Sequence, residues 1–140
     1  MRGVTARRSR VGFSRRSLGG SESDVNDNTL AILVKGCARD GQRDNLFAVY
    51  QQIAAPRATV NDAMPVVMWI ADNADENLFY LIEVYPDPLR LEQDMKQEWL
   101  TGYRARMREL MAGEFEVIFG TLRWAKGMPS NIADLKPPRP

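Results

Sequence analysis

The pattern of apolar and polar positions changes several times along the chain, and each change marks a predicted element. Apolar runs rich in β-branched and aromatic residues occupy residues 29–38, 65–71 and 78–85, and each has the length of a strand. A fourth run, residues 115–124, has the same character. Residues 72–77 are polar and few, so the second and third strands are expected to form a hairpin.

The first predicted helix covers residues 44–54, where Leu46, Tyr50 and Ile53 repeat at helical spacing. Proline lacks the backbone N–H that a helix interior needs, so Pro56 is expected to end this helix. A loop is then predicted over residues 57–64.

The second predicted helix covers residues 88–112, with Asp87 as its N-terminal cap and Gly113 as its C-cap. Its apolar stripe contains Met95, Trp99, Tyr103, Met107, Leu110 and Met111. At about 1.5 Å per residue a continuous helix would be longer than the strands, so a break is expected near residues 92–96.

The resulting order, β-α-β-β-α-β, predicts an α+β, ferredoxin-like fold: a four-stranded antiparallel sheet with both helices on one face. Such a sheet usually has one polar face. Here the strands are apolar on both faces, with few exceptions: Lys35, Glu83, Glu116 and Arg123. Because the helices cover only one face, the other is expected to pack against a second copy, sheet to sheet, in a homodimer.

Length and charge divide the chain of 140 residues into three parts: one domain, residues 29–126, a segment before it and a segment after it. Residues 1–28 hold six arginines and three acids, and are predicted to be a disordered basic extension. An organelle transit peptide, an anionic-surface tether and a translation start placed too far upstream are the alternatives. Residues 127–140 form a Pro-rich tail. Residues 29–140 hold 13 basic and 15 acidic residues, so the folded part is not expected to bind nucleic acid.

The absence of histidine excludes several kinds of chemistry. It removes the commonest general base and metal ligand, and every Ser-His or Cys-His pair. Cys37 is the only cysteine, so no intramolecular disulfide forms and a cytoplasmic location is expected. No apolar run approaches the roughly 20 residues of a membrane span.

Residues 79–94, FYLIEVYPDPLRLEQD, carry a family resemblance. They resemble the run of strand, Glu, any residue, Trp, any residue, acid and short helix ending in His of the antibiotic biosynthesis monooxygenase family. Glu83 matches the family's Glu and Asp87 its helix-opening acid. Tyr85 stands where the family usually has Trp, and Asp94 where it usually has His. The similarity covers roughly residues 30–126.

This resemblance implies a dimeric α/β barrel that oxidises a small phenol, hydroquinone or anthrone with O2, without flavin, haem or metal. The protein must then supply an aromatic pocket between helices and sheet, a proton acceptor, and donors that stabilise a phenolate. A non-catalytic dimeric barrel, binding a small hydrophobic ligand or serving as an assembly module, is the alternative. Haem degradation by a related barrel is disfavoured, because its proximal histidine is missing.

The candidate catalytic residues are Asp94, Tyr85 and Glu83, and the candidate pocket residues are Trp69, Trp99 and Tyr103. Each has a purely structural alternative. Trp99 and Tyr103 fit a core stripe, and Asp94 fits a solvated helix surface. A lone strand charge such as Glu83 is either functional or paired, with Lys35 or Arg123 as the partner.

Overall fold

A computed structural model describes residues 27–127, whose strands form one open, four-stranded antiparallel sheet. The strands are β1 (Leu30–Cys37), β2 (Val66–Ala71), β3 (Leu78–Tyr85) and β4 (Glu116–Thr121). Their order is β2-β3-β1-β4, so the hairpin strands β2 and β3 are neighbours and β1 lies between β3 and β4. The predicted α+β, ferredoxin-like fold is confirmed. The predicted extension and tail lie almost wholly outside the described residues.

The first helix is longer than predicted. It runs through α1 (Arg43–Val49), a π-helical turn (Tyr50–Ala54) and α2 (Ala55–Thr59). The prediction that Pro56 ends the helix is wrong, because the π-helical turn places this proline in the first turn of α2. A first-turn residue has little need of its N–H, so proline is tolerated there.

The second helix is divided into α3 (Pro88–Met95) and α4 (Trp99–Leu110). Asp87 caps α3 as predicted, since its Oδ1 accepts a hydrogen bond of 2.9 Å from the Arg90 N–H. The predicted break is present at residues 96–98, so it begins at the end of the expected range. Beyond the break, α4 contributes Met107 to the buried core.

The end of α4 differs from the prediction. The helix stops at Leu110, and Gly113, with a φ of 109°, lies in the turn towards β4 rather than at a C-cap. The cause is competition from the sheet. The Ala112 N–H donates a hydrogen bond to the Cys37 carbonyl at 2.8 Å, and Met111 forms a β-bridge with Ala38. Residues 111 and 112 therefore pair with the end of β1 instead of continuing the helix.

The core lies between the helices and the inner face of the sheet, the face that the helices cover. Phe79 is fully buried at its centre, where its ring stacks on Trp69 at 5.1 Å and meets the edge of Phe115 at 6.1 Å. The other buried members of this core are Ala38, Leu46, Val49, Met107 and Met111.

Within residues 27–127 no helix covers the outer face of the sheet, and most of the side chains on this face are apolar. One row crosses all four strands in register, and we call it the outer row: Met68, Ile82, Leu33 and Ile118. The side chains at its ends are well exposed, 47% for Met68 and 55% for Ile118. The sheet is therefore apolar on both faces, as the sequence indicated, while the second copy that would cover the outer row stays a prediction.

Candidate functional site

A cavity of about 940 Å³ lies between the inner face of the sheet and the helices. Five of the six candidate site residues line it: Glu83, Tyr85, Asp94, Trp99 and Tyr103. The sixth, Trp69, does not. It packs against Phe47 and Phe79, and lines a second cavity of about 750 Å³, to which Tyr50 also contributes.

The local structure explains why these side chains converge. Glu83 and Tyr85 are two positions apart on β3, so both point to the inner face. Asp94 comes from the last turn of α3, just before the break. Trp99 and Tyr103 are four positions apart on α4, so they share one helix face, with ring centroids 5.6 Å apart.

Asp94 is the centre of a hydrogen-bond network. Its Oδ2 accepts from the Tyr85 hydroxyl at 3.0 Å and from Asn61 Nδ2 at 2.6 Å, and its Oδ1 accepts from Gln97 Nε2 at 3.0 Å. Gln97 in turn accepts from the Trp99 indole N–H at 2.6 Å. Asp94 is therefore a partly buried acceptor of three bonds rather than a solvated surface residue.

Glu83 is the unusual acid of the cavity. Burial raises the pKa of its carboxyl to about 7; the nearby Asp94 charge raises this pKa and Arg104 lowers it. Among the described residues no hydrogen-bond or ion-pair partner of this carboxyl is found. Lys35, one suggested partner, lies opposite Tyr80 on the outer face of the sheet. The Glu83 side chain is thus divided between its acid and carboxylate forms near neutral pH.

The three tyrosine hydroxyls of the cavity, those of Tyr50, Tyr85 and Tyr103, remain protonated, because burial raises the pKa of each. Burial raises the pKa of Tyr85, and the charges of Glu83 and Asp94 raise it further. Burial likewise raises the pKa of Tyr103, with added contributions from Tyr50 and Glu83. The Tyr85 proton is committed to Asp94, whereas the Tyr103 hydroxyl has no partner among the described residues. Tyr103 is therefore free to donate to an oxygen in the cavity.

Solved structures share this architecture. A candidate antibiotic biosynthesis monooxygenase from Chloroflexus aurantiacus is 20% identical with a TM-score of 0.62, over 72% of this chain and 99% of that one. SnoaB from Streptomyces nogalater, a cofactor-independent oxygenase, is 15% identical with a TM-score of 0.61, over 70% and 96%. Rv0793 from Mycobacterium tuberculosis is 17% identical with a TM-score of 0.60, over 71% and 98%.

This chain has the antibiotic biosynthesis monooxygenase fold. The resemblance carried by residues 79–94 is therefore confirmed at the level of the fold. No protein-family model and no curated protein matches the sequence.

Several residues of the site were not identified from the sequence. Asn61 reaches Asp94 from the loop after α2, and Gln97 reaches it from the break between α3 and α4. Arg57 places its guanidinium 4.8 Å from the centroid of the Trp99 ring. The loop of Asn61 and the break of Gln97 have no periodic pattern, and Arg57 lies in the short helix α2, so only the three-dimensional fold brings these residues to the cavity.

Within residues 27–127, no helix combines the length and apolar character required to cross a bilayer. The same part of the chain contains no group of three or more Cys, Asp and Glu side chains placed to hold a metal ion.

Proposed function

We propose that this protein is a cofactor-independent monooxygenase that oxidises an aromatic phenol or quinol with O2. The observation that carries the proposal is the Glu83 carboxyl: unpartnered within residues 27–127, facing an aromatic cavity, and with a pKa raised by burial to about 7. An ordinary carboxylate is too weak a base for a phenol of pKa about 10. A raised carboxyl pKa makes the difference between the two pKa values smaller, so proton transfer from the phenol becomes easier.

The reaction balances with the protein supplying only proton transfer and binding. For an anthrone, one ring methylene and O2 give one ring carbonyl and water. The enolic hydroxyl passes its proton to Glu83, and the resulting phenolate passes one electron to O2. The ring radical and superoxide combine in a C–O bond, and Glu83 returns the proton to the outer oxygen. The hydroperoxide then loses water and leaves the carbonyl.

The other cavity residues take supporting roles in this proposal. The Tyr103 hydroxyl donates a hydrogen bond to the substrate oxygen and so stabilises the phenolate. Trp99 packs against the aromatic ring of the substrate. Asp94 already accepts three hydrogen bonds, so we assign it the positioning of Tyr85 rather than proton abstraction.

Oxygen uptake by the purified full chain, free of cofactor, tests this proposal against hydroquinones, naphthols and anthrones. We expect uptake above the spontaneous rate, rising with pH to a plateau above pH 7 as Glu83 loses its proton. Glu83→Gln removes the base and should lower the rate by about 10²-fold or more. Glu116→Gln, the same change on the outer face, should leave it unaltered. Equal rates in all three proteins would refute the role of Glu83.

A dimeric barrel that binds an aromatic ligand without turnover is the second candidate. It is favoured by the closed network in which Tyr85, Asn61 and Gln97 all bond to Asp94, because such a network stabilises a binding pocket without a reaction. Calorimetric binding of a quinol, with no oxygen uptake at any pH, would support this candidate. For either function we propose a homodimer in a reducing, cytoplasmic compartment.

A further inference from the structure

Arg104 is a cavity residue that the proposed reaction does not use. It lies on α4, is partly buried and lines the same cavity as Glu83. Its Nη2 lies 3.5 Å from the Met95 sulfur, and a thioether is a weak acceptor. Among the described residues no oxygen atom accepts a hydrogen bond from this guanidinium.

Among the described residues, none of the three acids that line the cavity, Glu83, Asp94 and Glu114, forms a hydrogen bond or an ion pair with Arg104. The Asp94 carboxylate already accepts hydrogen bonds from three other residues. The charge of Arg104 lowers the pKa of Glu83, yet within residues 27–127 the two side chains form no ion pair. The wall also contains a second unsatisfied donor, Arg90 Nη1, which is buried without an acceptor. Two guanidinium groups of the cavity wall, those of Arg90 and Arg104, thus keep N–H donors without an acceptor oxygen among the described residues.

We propose that Arg104 binds a carboxylate of the ligand, so that the cavity selects an aromatic hydroxy acid over a neutral phenol or quinol. The planar guanidinium presents paired N–H donors that match the two oxygens of a carboxylate. Because Glu83 and Arg104 line one cavity, a single ring can place its hydroxyl at Glu83 and its carboxylate at Arg104. This assignment of substrate class rests on the proposed function for the fate of the hydroxyl, but its binding step does not require turnover.

Calorimetry with a matched pair of probes tests the inference: 1-hydroxy-2-naphthoic acid and its methyl ester, each titrated into the full chain. We expect the acid to bind more tightly than the ester. Arg104→Gln should weaken acid binding by about tenfold or more and leave the ester within about twofold. Arg104→Lys, which keeps the charge but loses the paired donors, should recover part of the preference.

Arg106→Gln is the matched control, since Arg106 is exposed on the same helix and does not line the cavity. It should leave the binding of both probes unchanged. Equal affinity of the acid and the ester for the unaltered protein, no binding of either probe, or an equal loss of both in Arg104→Gln would overturn the inference.

The outcomes also separate this inference from the oxidation itself. Acid selectivity that disappears in Arg104→Gln, without any oxygen uptake, would retain Arg104 as the anion-binding residue and reject the enzyme. Oxygen uptake with neutral quinols, together with no preference for the acid, would reject the role of Arg104 and retain the enzyme.

Discussion

The burial of Glu83 lowers the stability of the fold by an amount that depends on pH. A carboxyl that is buried without a partner is more easily kept neutral than charged, which is why its pKa rises from 4.5 to about 7. The folded state therefore holds a proton that the unfolded chain has already released between these two pH values. The free energy of unfolding must fall as pH rises through that window and must level off above pH 7.

Glu83→Gln should accordingly change stability in a pH-dependent way. Near pH 4 both proteins carry a neutral side chain, and their free energies of unfolding should be similar. Near pH 8 the variant should be more stable by up to about 3 kcal/mol, because it avoids burying a charge. Urea unfolding at both pH values measures the difference. In Glu116→Gln, which alters an exposed residue of β4, the difference from the parent protein should not grow with pH.

At this scale the sequence indicated the chemistry of some residues and missed that of others. Glu83 could be found because a single charge interrupts an apolar strand, in phase with Phe79 and Tyr85. Whether it was paired could not be decided, since that depends on which face Lys35 occupies. Asn61 could not be found at all, because its position against Asp94 is set by a loop.

At the scale of elements, strand boundaries follow local pattern closely, whereas helix ends depend on neighbours. β3 occupies its predicted residues, since a hairpin turn and a helix cap fix its two ends. By contrast, α4 ends early because β1 captures Met111 and Ala112. The first helix continues past Pro56 through a π-helical turn that no propensity rule indicates. That turn places Tyr50 and Ala54 on the cavity wall, so the unpredicted element also shapes the site.

Two glycines in different elements should respond oppositely to the same substitution. A Cβ on Gly36 of β1 would lie 2.3 Å from the Phe79 ring, which is fully buried and stacked on Trp69. Gly36→Ala should therefore destabilise the fold by about 1–3 kcal/mol. Gly102 is exposed within α4, and a Cβ there meets no atom within 4 Å. Gly102→Ala should stabilise it by about 0.5–1 kcal/mol.

Chemical unfolding of the two variants beside the parent chain measures both changes. The opposite signs are the test, because a general effect of added volume or of reduced chain entropy would move both variants in one direction. A Gly36→Ala protein as stable as the parent would show that Phe79 can move without loss, and that the aromatic core is less tightly packed than the structure indicates.

At the scale of the whole molecule, the two faces of the sheet differ in what covers them. The inner face is covered by helices and encloses the cavity. The outer row, by contrast, crosses all four strands and is bordered by Val66, Val84 and Ala31 on one side. On its other side lie Ile70, Tyr80, Lys35 and Glu116. An apolar band with polar side chains along one edge is a composition expected of a protein interface, and a second sheet is flat enough to cover it.

A homodimer formed through the outer row should have twice the 15.9 kDa mass of the chain by light scattering. Leu33 lies on the central strand β1 and is 46% exposed, so Leu33→Arg should place a charge inside the interface and yield a monomer. Leu89→Arg is the control: Leu89 is 61% exposed, but it lies on α3, away from the outer row, and its variant should remain a dimer. A parent chain that is monomeric at all concentrations would reject the interface. A dimer that survives Leu33→Arg would place the contact elsewhere, and circular dichroism of each variant would separate loss of assembly from loss of folding.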